Sequence, residues 1–387
     1  MPREHSIIVY GATGFTGRLV AEYLAAHYPS LDWAMAGRSR SKLEAVRAAI
    51  GAPGTAPLIV ADADDPASLA ALAAQADVII TTVGPYQLYG SALVAACAKA
   101  GTAYVDLCGE PAWMREMIDA HAAEAKASGA RIVFSCGFDS IPFDLGVRQL
   151  QTLCVERFGA PAPRVKGRVR AMKGGFSGGT AASLKATLAA AAKNPSIIKL
   201  LTNPFALTPG FEGPSQPTGL VPHYDSAVEA WVAPFVMAPI NTKNVHRTNF
   251  LTQESYGPGF VYDEMMVAPG LGELGKAAAE AIAKANPLGG EGGPKPGEGP
   301  SKEERESGFY DILFIAEYDD GRTARLSVKG DRDPGYGSTS KMISESALCL
   351  IEDVKGEGGI WTPGALMGDA LVKRLEANAG LTFTAEG

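Results

Sequence analysis

Ser6-Ile7-Ile8-Val9-Tyr10-Gly11-Ala12-Thr13-Gly14-Phe15-Thr16-Gly17 carries the strongest signal in the chain. The first five residues are a short apolar, β-branched run, which reads as a buried strand. Past the glycines, Leu19, Val20, Tyr23 and Leu24 recur at helical spacing. Strand, glycine turn and helix in this order form the context of a dinucleotide-binding turn. Each glycine has its own task. Gly11 permits the tight turn, Gly14 lets backbone approach a pyrophosphate, and Gly17 lets the helix pack closely on the sheet. Unpaired N–H groups at the helix start would then face the phosphates. The candidate contacts are Gly11, Thr13, Gly14, Phe15, Thr16 and Gly17. The spacing is G-x-x-G-x-x-G, so the flanks carry more of the argument than the glycines do.

The next strand, Trp33-Ala34-Met35-Ala36, ends at Gly37-Arg38-Ser39. NAD-binding folds usually place an acid about twenty residues beyond the glycines to hold the ribose 2′-hydroxyl. Here Arg38, Ser39, Arg40 and Lys42 stand instead. A guanidinium can bind a 2′-phosphate that a carboxylate would repel, so NADP (NADPH) is favoured over NAD. A solvated helix start is the plainer account of the same charges. Leu58–Ala61 makes a third strand ending at Asp62, which reads either as an adenine neighbour or as a helix cap. Asp77–Val83 makes a fourth, leading to Gly84-Pro85-Tyr86. In a doubly wound sheet this strand lies beside the first, so Val83, Gly84, Pro85 and Tyr86 should skirt the nicotinamide half. Strands at 103–108 and 131–135 follow, and the last empties into Cys136-Gly137-Phe138-Asp139-Ser140. Asp139 or Ser140 would either floor an active site or cap the helix that Pro142 begins.

With 387 residues the chain is too long for one ordinary core. Hydrophobic residues at 46% and charged residues at 20% are globular proportions. A net charge of −7 argues against nucleic-acid binding. Five cysteines without a C-x-x-C pair fit a reduced, cytoplasmic protein. The first residues run straight into a strand and are read as leaving no room for a signal peptide. No apolar run approaches the roughly eighteen residues of a membrane span, which leaves peripheral membrane contact open. The five histidines are too scattered for a metal site.

Beyond residue 150 the texture changes. Arg164–Lys173 alternates, with Arg164, Lys166, Arg168 and Arg170 on one face, and reads as an antiparallel strand with one solvated face. The basic row would dock an acidic carrier or phosphate, or simply be wet. Phe309–Lys329 reads as a hairpin turned at Asp319-Asp320-Gly321, and 287–300 as a mobile, glycine- and proline-rich loop. The expected class is α/β: a Rossmann-type doubly wound parallel sheet (1–145), an inserted α+β domain for substrate and dimerisation (146–340), and C-terminal helices returning to the first domain (341–387). Gly175-Phe176-Ser177-Gly178-Gly179 fits the hydrolase pattern G-x-S-x-G, but its preceding strand is half charged, unlike the buried strand before a nucleophile elbow. No tyrosine has lysine four residues on, which excludes the usual short-chain dehydrogenase pair.

Val9–Gly17, Ala36-Gly37-Arg38-Ser39, Val83-Gly84-Pro85-Tyr86 and Gly137-Phe138-Asp139-Ser140-Ile141-Pro142 together resemble the saccharopine dehydrogenase-like oxidoreductases, in the branch of the trans-acting enoyl reductases. Gly178-Gly179-Thr180, Ala233-Pro234-Phe235-Val236-Met237 and Trp361-Thr362-Pro363 extend the resemblance over nearly the whole chain. It implies NADP and reduction of a C=C bond during polyketide-lipid assembly, on a small-molecule or carrier-bound acyl substrate. The alternatives are a saccharopine-type amino-acid dehydrogenase acting on a C–N bond and a non-catalytic NADP sensor or scaffold. An amino-acid substrate would need a carboxylate clamp, and no arginine stands at the strand ends near Tyr86 or Cys136. Catalytic candidates are Tyr86, Cys136, Asp139 and Ser140. Tyr86 is the first choice as proton donor, because a cationic nicotinamide would ease loss of its proton. Cys136 is expected to pack beside the ring.

Overall fold

The computed structural model of the chain describes residues 3–175, 178–285 and 298–387. Six strands come first: β1 (His5–Tyr10), β2 (Trp33–Gly37), β3 (Leu58–Val60), β4 (Ala76–Thr81), β5 (Ala103–Val105) and β6 (Arg131–Val133). Later come β7 (Arg164–Lys173), β8 (His223–Asp225), β9 (Ala230–Pro234), β10 (Val261–Val267), β11 (Phe309–Glu317), β12 (Thr323–Gly330), β13 (Gly359–Trp361) and β14 (Leu381–Glu386). The first sheet has the order β13-β6-β5-β4-β1-β2-β3, with every pair parallel. β4 lies beside β1, with Val9 opposite Ile80, so the strand order reverses there. Ile7, Ile8 and Val9 of β1 and Val78, Ile79 and Ile80 of β4 are fully buried, as strands covered on both faces must be.

The second sheet is mixed, in the order β14-β12-β11-β7-β10-β9-β8, with β7 and β10 parallel. The helix Ile141–Phe158 carries the chain from one sheet to the other. Its Phe143 meets Phe235 and Phe314 at 5.5 and 6.3 Å between ring centres, and one contiguous apolar core spans both sheets. The helix Thr339–Glu352 returns to the first sheet's side, where Glu345 accepts hydrogen bonds from Tyr23 and Tyr28 at 2.6 and 2.5 Å.

Two expectations need correction. The 341–387 stretch does not return to the first sheet alone, because β13 extends the first sheet while β14 extends the second. The basic row of β7 is not a wet face either. Arg168 is 1% exposed and meets Asp225 at 2.8 Å and Asp263 at 2.9 Å. Arg170 meets Asp311 and Glu386, each at 2.7 Å, and Lys166 meets Glu317 at 2.8 Å. Carboxylates from β8, β10, β11 and β14 of the same sheet therefore neutralise the row, which is needed once such charges leave water. Most of the 287–300 run and part of the G-x-S-x-G pattern lie outside the described residues. Among the described residues no helix is long and apolar enough to cross a membrane.

Candidate active site

The glycine turn is built as its residue types require. Gly11 sits at φ +88°, and a Cβ there would lie 2.8 Å from Thr82 Oγ1 and Val83 Cγ2. Gly14 N–H donates to Gly11 C=O at 2.9 Å. A Cβ on Gly17 would run into the Gly11 carbonyl and come within 2.8 Å of Thr82 Oγ1. Among the described residues no side chain caps the helix Phe15–His27 at Gly14, so its first N–H groups are available to an anion. This backbone cradle fits a pyrophosphate. The Phe15 ring lies edge-on to Tyr336, 4.7 Å between centres, with the Arg305 guanidinium 5.6 Å away on the same ring.

At the end of β2, Arg38 is exposed and makes no hydrogen bond or ion pair among the described residues. Arg40 is engaged by Glu44 at 3.3 Å and by the Leu58 carbonyl at 3.2 Å. Ser39 caps the helix Arg40–Ala49 by accepting from Lys42 N–H at 3.4 Å, leaving the Lys42 side chain exposed. Asp62 accepts from Asp64 N–H at 3.1 Å, and Asp65 caps the following helix instead.

The residues beyond β4 and β6 sort differently from expectation. Tyr86 lines the cavity wall, but its hydroxyl donates to the Thr81 carbonyl at 3.3 Å and accepts from Leu107 N–H at 3.0 Å. Burial, with the Asp106 charge adding, holds its pKa well above the ordinary phenol value. A phenol that loses its proton easily is not what the structure contains. Cys136 is fully buried, with its thiol toward the Val133 carbonyl, and it does not line the cavity. Ser140 is also fully buried. It donates to Asn241 Oδ1 at 3.0 Å and accepts from Asn244 Nδ2 at 2.7 Å. Asn241 in turn donates to Glu264, and Tyr262 hydroxyl does the same, each at 2.9 Å. Burial pushes the Glu264 carboxyl up to about 8.

Asp139 stands apart. It lines the cavity, makes no hydrogen bond among the described residues, and burial alone pushes its carboxyl up to about 7. Glu110, not singled out by sequence, is buried and fully engaged. Its carboxylate accepts from Tyr86 N–H and Gln87 N–H at 2.9 Å each and from Ser183 Oγ at 2.7 Å. It thereby ties the loop after β4 to the helix Gly178–Lys193.

These parts enclose a cavity of about 460 Å³. Thr16, Gly84, Tyr86, Gly137 and Asp139 come from the first sheet's strand ends and glycine turn. Met172, Leu188, Leu201, Val236, Met237 and Ile240 come from beyond the helix Ile141–Phe158, and Pro334, Gly335 and Thr339 close one side. No lysine, arginine or histidine is among the described residues that line it. Sequence reading missed the Pro334–Thr339 wall. Asp333-Pro334-Gly335-Tyr336-Gly337 announces a turn, but nothing local says what the turn faces.

Residues 7–133 match the model of the saccharopine dehydrogenase NADP binding domain, so the cofactor class is a nicotinamide dinucleotide. A Mycobacterium tuberculosis protein provisionally named a trans-acting enoyl reductase is 41% identical, over 99% of this chain and 97% of its own. The trans-acting enoyl reductases of Mycobacterium bovis and Mycobacterium ulcerans are 39% and 37% identical, over 96% of each chain. Saccharopine dehydrogenase (L-Glu forming) of Saccharomyces cerevisiae shares the fold, with a TM-score of 0.58 and 11% identity over 99% of this chain and all of that one. The chain therefore belongs to the saccharopine dehydrogenase-like oxidoreductases, alongside the proteins named trans-acting enoyl reductases.

Proposed function

We propose that this enzyme uses NADPH to reduce the C=C bond of an enoyl thioester whose acyl chain occupies the apolar cavity. The observation that carries the reading is the carboxyl of Asp139, the one charged group among the described residues that line the cavity. When bound, the reduced nicotinamide would be the source of the hydride for the β-carbon. The chain's own residues do the rest. The Gly11–Gly17 turn would hold the pyrophosphate, and Arg38 with Lys42 would take the 2′-phosphate. Asp139, close to half protonated at neutral pH, gives its proton to the α-carbon and regains one from water. Met172, Met237 and Ile240 keep water from the bond under reduction. The division into units at 1–145, 146–340 and 341–387 belongs to the same proposal.

An amino-acid substrate is less well served, because its carboxylate would meet no cation among the described lining residues. The test is NADPH oxidation with an enoyl thioester against an α-keto acid plus lysine. Oxidation with the thioester alone is expected. Oxidation with the amine pair alone would replace this reading with C–N chemistry. Tight NADPH binding with neither would point to a sensor.

A further inference from the structure

The roof of the cavity is built from a segment unlike the rest of the chain. Residues 178–202 contain Lys185, Lys193 and Lys199 and no acid, within a protein of net charge −7. All three lysines are exposed and make no ion pair among the described residues. Leu188 lines the cavity and is 58% exposed, which places it at the mouth. In the helix Pro195–Thr202 no residue is buried, and Ile198 is half exposed. At helical spacing Ile197, Ile198, Leu200 and Leu201 share one arc, with Lys199 opposite. Gln87 Nε2 donates to Thr187 Oγ1 at 3.0 Å, so the exposed Leu88 and Tyr89 belong to the same rim.

Eight residues are too few for a stable isolated helix in water, and this one gains little from the core. The exposed Leu188 and Ile198, beside lysines that make no ion pair among the described residues, are matched by one kind of surface in particular. An anionic bilayer offers apolar depth to the first and counter-charge to the second. Whatever covers Leu188 must also let an acyl chain enter. A lipid surface does so, whereas a protein seated there would have to leave the mouth open. We infer that the face formed by Lys185–Thr202 and Leu88-Tyr89 docks on an anionic membrane surface, from which the cavity takes its acyl substrate. The acyl part and the preference for lipid over a carrier protein rest on the enoyl reductase reading; the match of exposed apolar and basic side chains to an anionic surface does not.

The test is co-sedimentation of the full chain with vesicles of phosphatidylcholine, alone or mixed with phosphatidylglycerol. The chain should bind the mixed vesicles and leave the neutral ones. Ile198→Glu, and separately the pair Lys185→Glu with Lys199→Glu, should each weaken binding about tenfold or more. Both should still oxidise NADPH with a water-soluble short-chain enoyl thioester, which also shows that they fold. No binding, equal binding to neutral vesicles, or variants that sediment like the wild type would overturn the docking. So would vesicles ignored while the lysine pair lowers turnover of a carrier-bound thioester, which would assign this face to an acidic carrier protein. Vesicle binding without turnover of any thioester would sink the reaction assignment and uphold the docking.

Discussion

Ser140 Oγ donates to Asn241 Oδ1 across 3.0 Å, and this contact joins the loop carrying Asp139 to the second half of the chain. Asn244 Nδ2 fixes the same hydroxyl from the other side at 2.7 Å. Ser140 thus acts as a strut. Its neighbour Asp139 is held facing the cavity with no hydrogen-bond partner among the described residues.

Asp139→Asn should lower kcat by about a hundredfold or more, the usual worth of a general acid, and leave the Kd for NADPH unchanged. In the wild type the acid form is required, so kcat should fall as pH rises through about 7. Steady-state rates from pH 5 to 9 and a cofactor titration check both parts. A flat pH profile would remove Asp139 as the donor.

Tyr86→Phe tests the opposite assignment. The lost hydroxyl leaves Leu107 N–H unpaired, at a cost of about 1–2 kcal/mol in a denaturant melt. The rate should stay within about twofold, since loss of a proton donor would cost about a hundredfold. A drop of that size would return Tyr86 to the chemistry.

Arg38→Asp should weaken NADPH binding by about tenfold to a hundredfold, as expected for loss of a charge-assisted contact. NADH binding should change little. Fluorescence titration with both cofactors decides, and equal losses would show that Arg38 does not read the 2′-phosphate.

Glu264→Gln should change how stability responds to pH. The folded carboxyl titrates near 8, far above its unfolded value, so the folded state binds the extra proton. The stability tied to this group is present below about 4.3 and lost as pH rises through about 8. Gln cannot ionise, so the variant should gain on the wild type between pH 5 and pH 9, by the order of a few kcal/mol. Paired melts at both ends give the sign. A gap that stays constant would mean that Glu264 does not titrate there.

Local geometry explains what could be read early. Gly11, Gly14 and Gly17 answer to a positive φ and to close backbone approach, which a short stretch of sequence expresses. The β7 alternation was equally legible as a strand. Which face was buried was not, because Arg168 finds Asp225 57 residues away and Arg170 finds Glu386 216 residues away. Position also said that Tyr86 and Asp139 stand near the cofactor half. Chemistry separated them only once their surroundings were known. One hydroxyl is closed into backbone hydrogen bonds, and the other side chain faces the cavity with no hydrogen-bond partner among the described residues. Glu110 escaped notice because its five-residue neighbourhood shows an ordinary helix start, whereas its partners come from 86–87 and 183.

The two strands of the tail make the protein's completion a late event. β13 pairs with β6, and β14 pairs with β12. During synthesis both partner strands wait as bare edges until residues 359–386 have been made. A product stopping after Glu352 would present two open templates for pairing with other chains, and should precipitate where the longer one does not.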